Sequence, residues 1–194
     1  MDYYFLEFQY PKKGFISGGA EFHPELKINY SAIDYDLPVN TKVEVILVPS
    51  VKKMDVDFFH TTTFALLVSD DFKVILEGKS KSQFIPATVK YHNGSVVDKK
   101  YWVVHNLKKI DCLDYELSEY AGKKIVLESI KRPPRRIAKG FKKVILDSSK
   151  VNGSHVFILD YTYITNPIIS SELYGELNRK GIKINATLVG DFQP

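Results

Sequence analysis

Cysteine is nearly absent: Cys112 is the only one in the chain. A single thiol cannot close a disulfide within the chain, and it cannot build a zinc site on thiolates. Long apolar runs are also missing, and no window is apolar enough to span a bilayer. The opening stretch, MDYYFLEFQY, has neither the basic start nor the continuous apolar centre of a signal peptide. These absences predict a protein of a reducing compartment, the cytoplasm, with no membrane as a partner. Catalytic signatures are lacking too: there is no P-loop, GxGxxG, GxSxG or HExxH pattern. The five histidines (His23, His60, His92, His105 and His155) show no HxH or HxxxH spacing. The sequence therefore predicts no catalytic residue, no metal site and no cofactor.

What is present is an ordinary globular composition. The chain has 194 residues, 44% hydrophobic and 13% aromatic, enough for one good core or two small ones. That composition argues against disorder. Net charge is +4, but it is unevenly placed. Residues 131–143, KRPPRRIAKGFKK, carry seven Lys or Arg and no acid. Without them 20 basic residues face 23 acidic ones, a balance of −3. A nucleic-acid binder spreads positive charge over a face, because each neutralised phosphate adds affinity. One short run is a weaker signal.

The local patterns predict an α+β fold, mainly antiparallel strands and hairpins with two short amphipathic helices at about 70–77 and 171–180. Strands are expected at Tyr3–Gln9, Leu26–Tyr30, Val43–Val48, Phe84–Tyr91, Tyr101–Asn106, Ile125–Leu127 and Val144–Leu146. A loop is expected over Pro11–Ala20. Asn93-Gly94 signals a tight turn, and SSKVNGS reads as a hairpin between Val144–Asp147 and Val156–Asp160. In the first helix Ser69 is the cap, Asp70 and Asp71 suit the first turn, and Gly78 supplies the stop. In the second, Ser170 or Ser171 caps, Glu172 occupies the first turn, and Gly181 ends it. Laid over each other, Ser69 falls on Ser170, Phe72 on Leu173 and Leu76 on Leu177. This is either a weak internal repeat or two helices obeying the same capping rules. The chain reads as one globular unit over 1–194. The best candidate boundary lies near 49–58, after an N-terminal β-rich part (1–55).

The basic run offers the clearest candidate site. Pro133-Pro134 forbids helix there, so no basic recognition helix enters a groove at this point. The run is either a solvated crossover or a surface for an acidic partner or a phosphate. Arg132, Arg135, Arg136 and Lys139 are the candidate partner-binding residues. Cys112 sits between Asp111 and Asp114, which disfavour a thiolate and point to a buried structural cysteine. His60-Thr-Thr-Thr-Phe64 either lines a site or forms an exposed strand edge.

The order of segments is similar to a known family. LLVSDDFKVILEG, YWVVHNLKKIDCLDYELSEY, KKVILDSSKVNGSHVFILD and NPIISSELYGELNRKGIKINATLV resemble the immunity protein 11 and immunity protein 43 types, formerly a domain of unknown function. The resemblance rests on Tyr101, Asn106, Asp111, Cys112, Leu113, Asp114 and Ser118, then on Leu146–Phe157 and Ile169–Gly181. It covers roughly 64–190, with the YYFLEF start matching the family's opening strand. It implies a small cytoplasmic bacterial protein that binds and neutralises a cognate polymorphic toxin domain, with Asp111 and Asp114 holding the fold. No catalytic residue carries over from it. A nucleic-acid or phosphate-binding module using 131–143 is the alternative reading, although nucleic acid is not the expected partner.

Overall fold

The computed structural model describes residues 1–7 and 15–192. Its strands are β1 (Tyr3–Glu7), β2 (Ser17–His23), β3 (Lys42–Leu47), β4 (Phe58–His60), β5 (Leu66–Ser69), β6 (Gln83–Lys90) and β7 (Tyr101–His105). They continue with β8 (Lys109–Ile110), β9 (Glu119–Ala121), β10 (Lys139–Lys143), β11 (Val156–Leu159), β12 (Ile168–Ser170) and β13 (Asn185–Leu188). The α-helices are α1 (Asp70–Glu77), α2 (Lys123–Lys131), α3 (Ser148–Val151) and α4 (Ser171–Arg179). The fold is α+β and mostly antiparallel, as the sequence predicts; only β3–β6 and β8–β11 pair in parallel among the named strands of the described residues.

The chain divides into two compact units. One holds Met1–Glu7, Lys108–Glu176 and residues 185–192; the other holds residues 15–107 and Leu177–Ile184. The first contains a five-stranded sheet of order β13-β1-β12-β11-β8 and the ribbon β10-β9. Its core gathers Phe5, Phe157, Ile168, Leu113 and Cys112, all fully buried. The second contains a six-stranded sheet of order β2-β3-β6-β7-β5-β4, over a core that includes Val45, Phe59, Leu67 and Val103. Residues 49–58 run from the β3–β4 connection to the start of β4, within this second unit.

Both expected helices form where the capping pattern places them. Ser69 Oγ accepts the Phe72 N–H at 3.4 Å, and Ser170 Oγ accepts the Leu173 N–H at 3.2 Å. The equivalence read from the helices extends through the strands around them. Twice a strand, a helix and a second strand of the same direction straddle one antiparallel strand: β5-α1-β6 around β7, and β12-α4-β13 around β1. The registers agree. Tyr101 faces Ser69 as Tyr3 faces Ser170, and Val103 faces Ile85 as Phe5 faces Thr187. Phe59 faces Leu67 as Phe157 faces Ile168. Even the ring contacts correspond: the Lys73 ammonium lies 4.4 Å from the centre of the Trp102 ring, and Tyr174 stacks on Tyr4 at 4.5 Å. The likeness is therefore one of whole frames and goes beyond capping.

Several expectations fail for identifiable reasons. Leu26–Tyr30 is not a strand: Asn29 turns the chain by accepting the Ser31 N–H, and a 3-10 turn follows at Tyr30–Ala32. The expected loop at Pro11–Ala20 is strand from Ser17 onward, because a bulge at Gly18-Gly19 lets β2 pair with β3; residues 11–14 lie outside the described residues. A side chain at Gly19 would be tight, with its Cβ 3.1 Å from the Thr63 methyl. Ile125–Leu127 belongs to α2. Val144–Leu146 contributes only the isolated Leu113–Leu146 bridge, and the regular strand lies upstream as β10. The SSKVNGS hairpin is instead the short helix α3, capped by Asp147 through the Ser149 N–H. Asn152 and Gly153 spend their positive φ, 51° and 68°, on ending that helix. In β1, Gln9 also lies outside the described residues.

Candidate functional site

The segment DCLDYELS is pinned before it can present anything. β8 pairs in parallel with β11, matching Ile110 to Leu159, and the Asp160 N–H donates to the Ile110 carbonyl at 3.0 Å. Cys112 and Asp114 then bond to residues 145–147: the Asp147 N–H donates to Cys112 O and the Asp114 N–H to Ile145 O, both at 2.8 Å. Ser118 closes the same contact, with its Oγ accepting from Ile145 N at 2.9 Å and donating to Ile145 O at 3.2 Å. Asp114 turns the chain between these points. Its Oδ1 accepts the N–H groups of Glu116 and Leu117 at 3.1 and 2.9 Å. The carboxylate is thus a turn cap, not a free acid.

Asp111 has a different task. Its carboxylate takes both Nη groups of Arg135, at 2.5 and 2.9 Å, and the Tyr115 hydroxyl at 3.1 Å. The guanidinium lies over two aromatic rings, 4.1 Å from the centre of Tyr161 and 5.0 Å from that of Tyr115. A planar fork suits this site because it can pair bidentately and stack at once. Burial and the adjacent Asp111 carboxylate push the Tyr115 hydroxyl well above the usual phenol value, so it remains a donor.

The basic run departs from this clamp. Lys131 ends α2, residues 132–138 turn through the prolines, and Lys139–Lys143 form β10. Arg135 is half-buried and committed to Asp111; Arg132, Arg136 and Lys139 are exposed. So are Lys131, Lys142 and Lys143. The Arg136 N–H donates to Ser129 Oγ at 2.9 Å, which ties the turn back to α2. Beyond it Ala138, fully buried, forms a parallel bridge with Thr162. The Ala138 N–H reaches Tyr161 O at 2.9 Å, and the Tyr163 N–H reaches Ala138 O at 3.1 Å. Nothing in the sequence reading singled out Tyr161 or Tyr163. The alternation D-Y-T-Y-I around a half-buried threonine was the available signal.

Two other features have structural roles. Burial first, and then Asp111, pushes the Cys112 thiol up to about 12, so it stays a protonated core group. His60-Thr-Thr-Thr-Phe64 is the turn between β4 and β5: Thr61 Oγ1 lies 2.9 Å from Thr63 Oγ1, and Thr63 Oγ1 accepts the Ala20 N–H at 3.0 Å. The strand-edge reading therefore gives way to a hydrogen-bonded corner. A cleft of about 500 Å3 opens between Leu113–Glu116 and α2, lined with charges of both signs. Among the described residues no cluster of three His, Cys, Asp or Glu gathers to hold a metal ion, and no helix is long and apolar enough to cross a membrane.

Residues 15–188 match the model of the Immunity protein family (Imm11). No curated protein matches the chain.

Proposed function

The chain belongs to the immunity protein family (Imm11), and from that membership we propose that it binds and neutralises a cognate bacterial polymorphic toxin by protein–protein contact in the cytoplasm. Immunity proteins are in general not enzymes, and this one acts without turnover. The observation that carries the reading is the family match over residues 15–188, nearly the whole described chain. The chemistry of the site supports it. The carboxylates of Asp111 and Asp114 are occupied by internal bonds, and the lone thiol is buried and protonated. What the site offers outward is cationic and aromatic, the composition of a binding surface. Arg132, Arg136 and Lys139 are proposed partner contacts, and Arg135 holds the segment that presents them.

The test is co-expression with the toxin domain encoded immediately upstream. The expected result is rescued growth and a 1:1 complex by size-exclusion chromatography with light scattering. Absence of rescue and of complex would overturn the proposal. The rival use of residues 131–143, phosphate or nucleic-acid binding, predicts retention on generic RNA or DNA that collapses as salt rises.

A further inference from the structure

Exposed aromatic side chains are unevenly distributed, and one group coincides with the basic run. The bridge between Ala138 and Thr162 buries the two bridging residues more than their neighbours. Ile137 is 47% exposed, Tyr161 39% and Tyr163 66%, while Ala138 is fully buried. Because the backbones are joined at this bridge, Ile137 and Lys139 on one segment lie beside Tyr161 and Tyr163 on the other. Arg136 precedes them and is exposed. An apolar side chain, two tyrosines and two cations thus share one small surface. Tyrosine and arginine are among the residues enriched where interface energy concentrates, and a tyrosine ring adds large contact area at low entropic loss.

The backbone at this place is held, not loose. Tyr161 has φ of 52°, in the left-handed region that a bulky residue enters only under constraint. Its N–H is bonded to its neighbour Asp160 Oδ1 at 2.9 Å, its carbonyl receives Ala138, and its ring lies under the Arg135 guanidinium. Of the adjacent carboxylates, Asp111 is committed to Arg135, and Asp160 accepts the Tyr161 N–H through Oδ1. Nothing acidic in the run offsets Arg136 and Lys139 toward solvent.

We propose that the Ala138–Thr162 bridge is the centre of the toxin-docking surface, with Tyr163 and Ile137 as apolar anchors and Arg136 and Lys139 meeting carboxylates on an acidic face of the toxin. This rests on the toxin-binding reading above and specifies its surface. A positive inhibitor face is repelled by a basic substrate channel and drawn to a carboxylate-lined one. The partner's docking face is therefore acidic, with an apolar depression that accepts a tyrosine. Charge sets the encounter rate, and the buried ring sets the lifetime of the complex.

The two contributions can be separated by measuring association and dissociation with the toxin domain encoded immediately upstream, made inactive for handling. Tyr163→Ala should raise the dissociation rate about tenfold or more with little change in association. Arg136→Glu with Lys139→Glu should slow association and remove most of its salt dependence. Because these side chains are exposed, circular dichroism and melting should match the parent protein. A parent protein that fails to bind overturns the toxin-binding reading itself. Parent binding with both variants unchanged overturns this surface and leaves that reading standing. Loss of binding by Tyr163→Ala with an altered melt would be settled by Tyr163→Phe, which keeps the ring: restored affinity supports an anchor, and unrestored affinity counts against it.

Discussion

Ser69 and Ser170 are equivalent residues. Each ends a strand, caps the helix that follows, and donates its own N–H at 2.9 Å to the carbonyl of the residue preceding the neighbouring strand, Asp57 in one case and His155 in the other. The side-chain hydroxyls repeat the pairing, with Ser69 bonded to the Asp57 carboxylate and Ser170 lying 2.9 Å from His155 Nδ1. One hydroxyl therefore joins a helix start to a sheet corner in each unit.

Replacing either serine by alanine should cost stability through the lost cap. The expected loss is about 1 kcal/mol for Ser170→Ala. Ser69→Ala should cost more, because the second partner it deserts is the buried Asp57 carboxylate, whereas the His155 ring left by Ser170→Ala is partly exposed. Urea denaturation of the two variants checks the order.

The Asp111–Arg135 clamp should not tolerate a lysine. Arg135→Lys keeps the charge but loses the bidentate pair and the stacking on Tyr161 and Tyr115. A loss of about 1–2 kcal/mol is expected, between the limits for exposed and buried ion pairs. Asp111→Asn should lose a comparable amount, and the double variant should lose less than the sum. A double-mutant cycle by denaturation measures the coupling; strict additivity would remove the clamp from the account.

Acid should act on the protein in two steps. Burial holds His60 below the ordinary histidine value of 6.5, so just below that pH the unfolded chain takes up a proton that the folded chain refuses. Stability then falls as pH drops. Burial pushes the Asp57 carboxyl up, but its pairing with Lys99, Ser69 and the Lys183 N–H outweighs this and leaves it below the ordinary 3.8. Its contribution is complete above that value and disappears as pH falls through the folded one. In stability curves against pH, His60→Gln should flatten the upper step alone. Asp57→Asn should flatten the lower step and lose on the order of 3 kcal/mol at neutral pH.

Cys112 should be silent toward thiol reagents. With the thiol fully buried and pushed up to about 12, native protein at pH 8 should show no reaction with a disulfide reagent, and one equivalent should react in denaturant. Rapid native labelling would contradict its place in the core.

The helices were readable because their signals are local. A serine, early acids and a closing glycine fix α1 and α4 within a dozen residues each. The same locality explains the error at α2. Gly122 starts it with no side-chain cap, its first turn carries Lys123 and Lys124 against the dipole, and Ile125-Val126 is a β-branched pair. Packing of Val126 and the bonds from Lys123 to the carbonyls of Glu116 and Ser118 supply what the local sequence lacks. At the site, the four charged candidates were visible as a run, but their division into one buried clamp and exposed neighbours depends on Asp111, far away in the chain. The tyrosines beside them depend on a bridge between segments that no short window contains.

Strand β1 precedes β12 and β13 by some of the longest separations between paired strands in this sequence, yet it lies between them. Its two edges stay unpaired until β12 and β13 have been made, since Tyr3 meets Ser170 and Tyr4 meets Leu188. A polypeptide stopped before residue 168 could finish neither edge. Premature termination would thus yield sticky, protease-sensitive material in place of a weakened inhibitor, and such nascent chains would depend on chaperones.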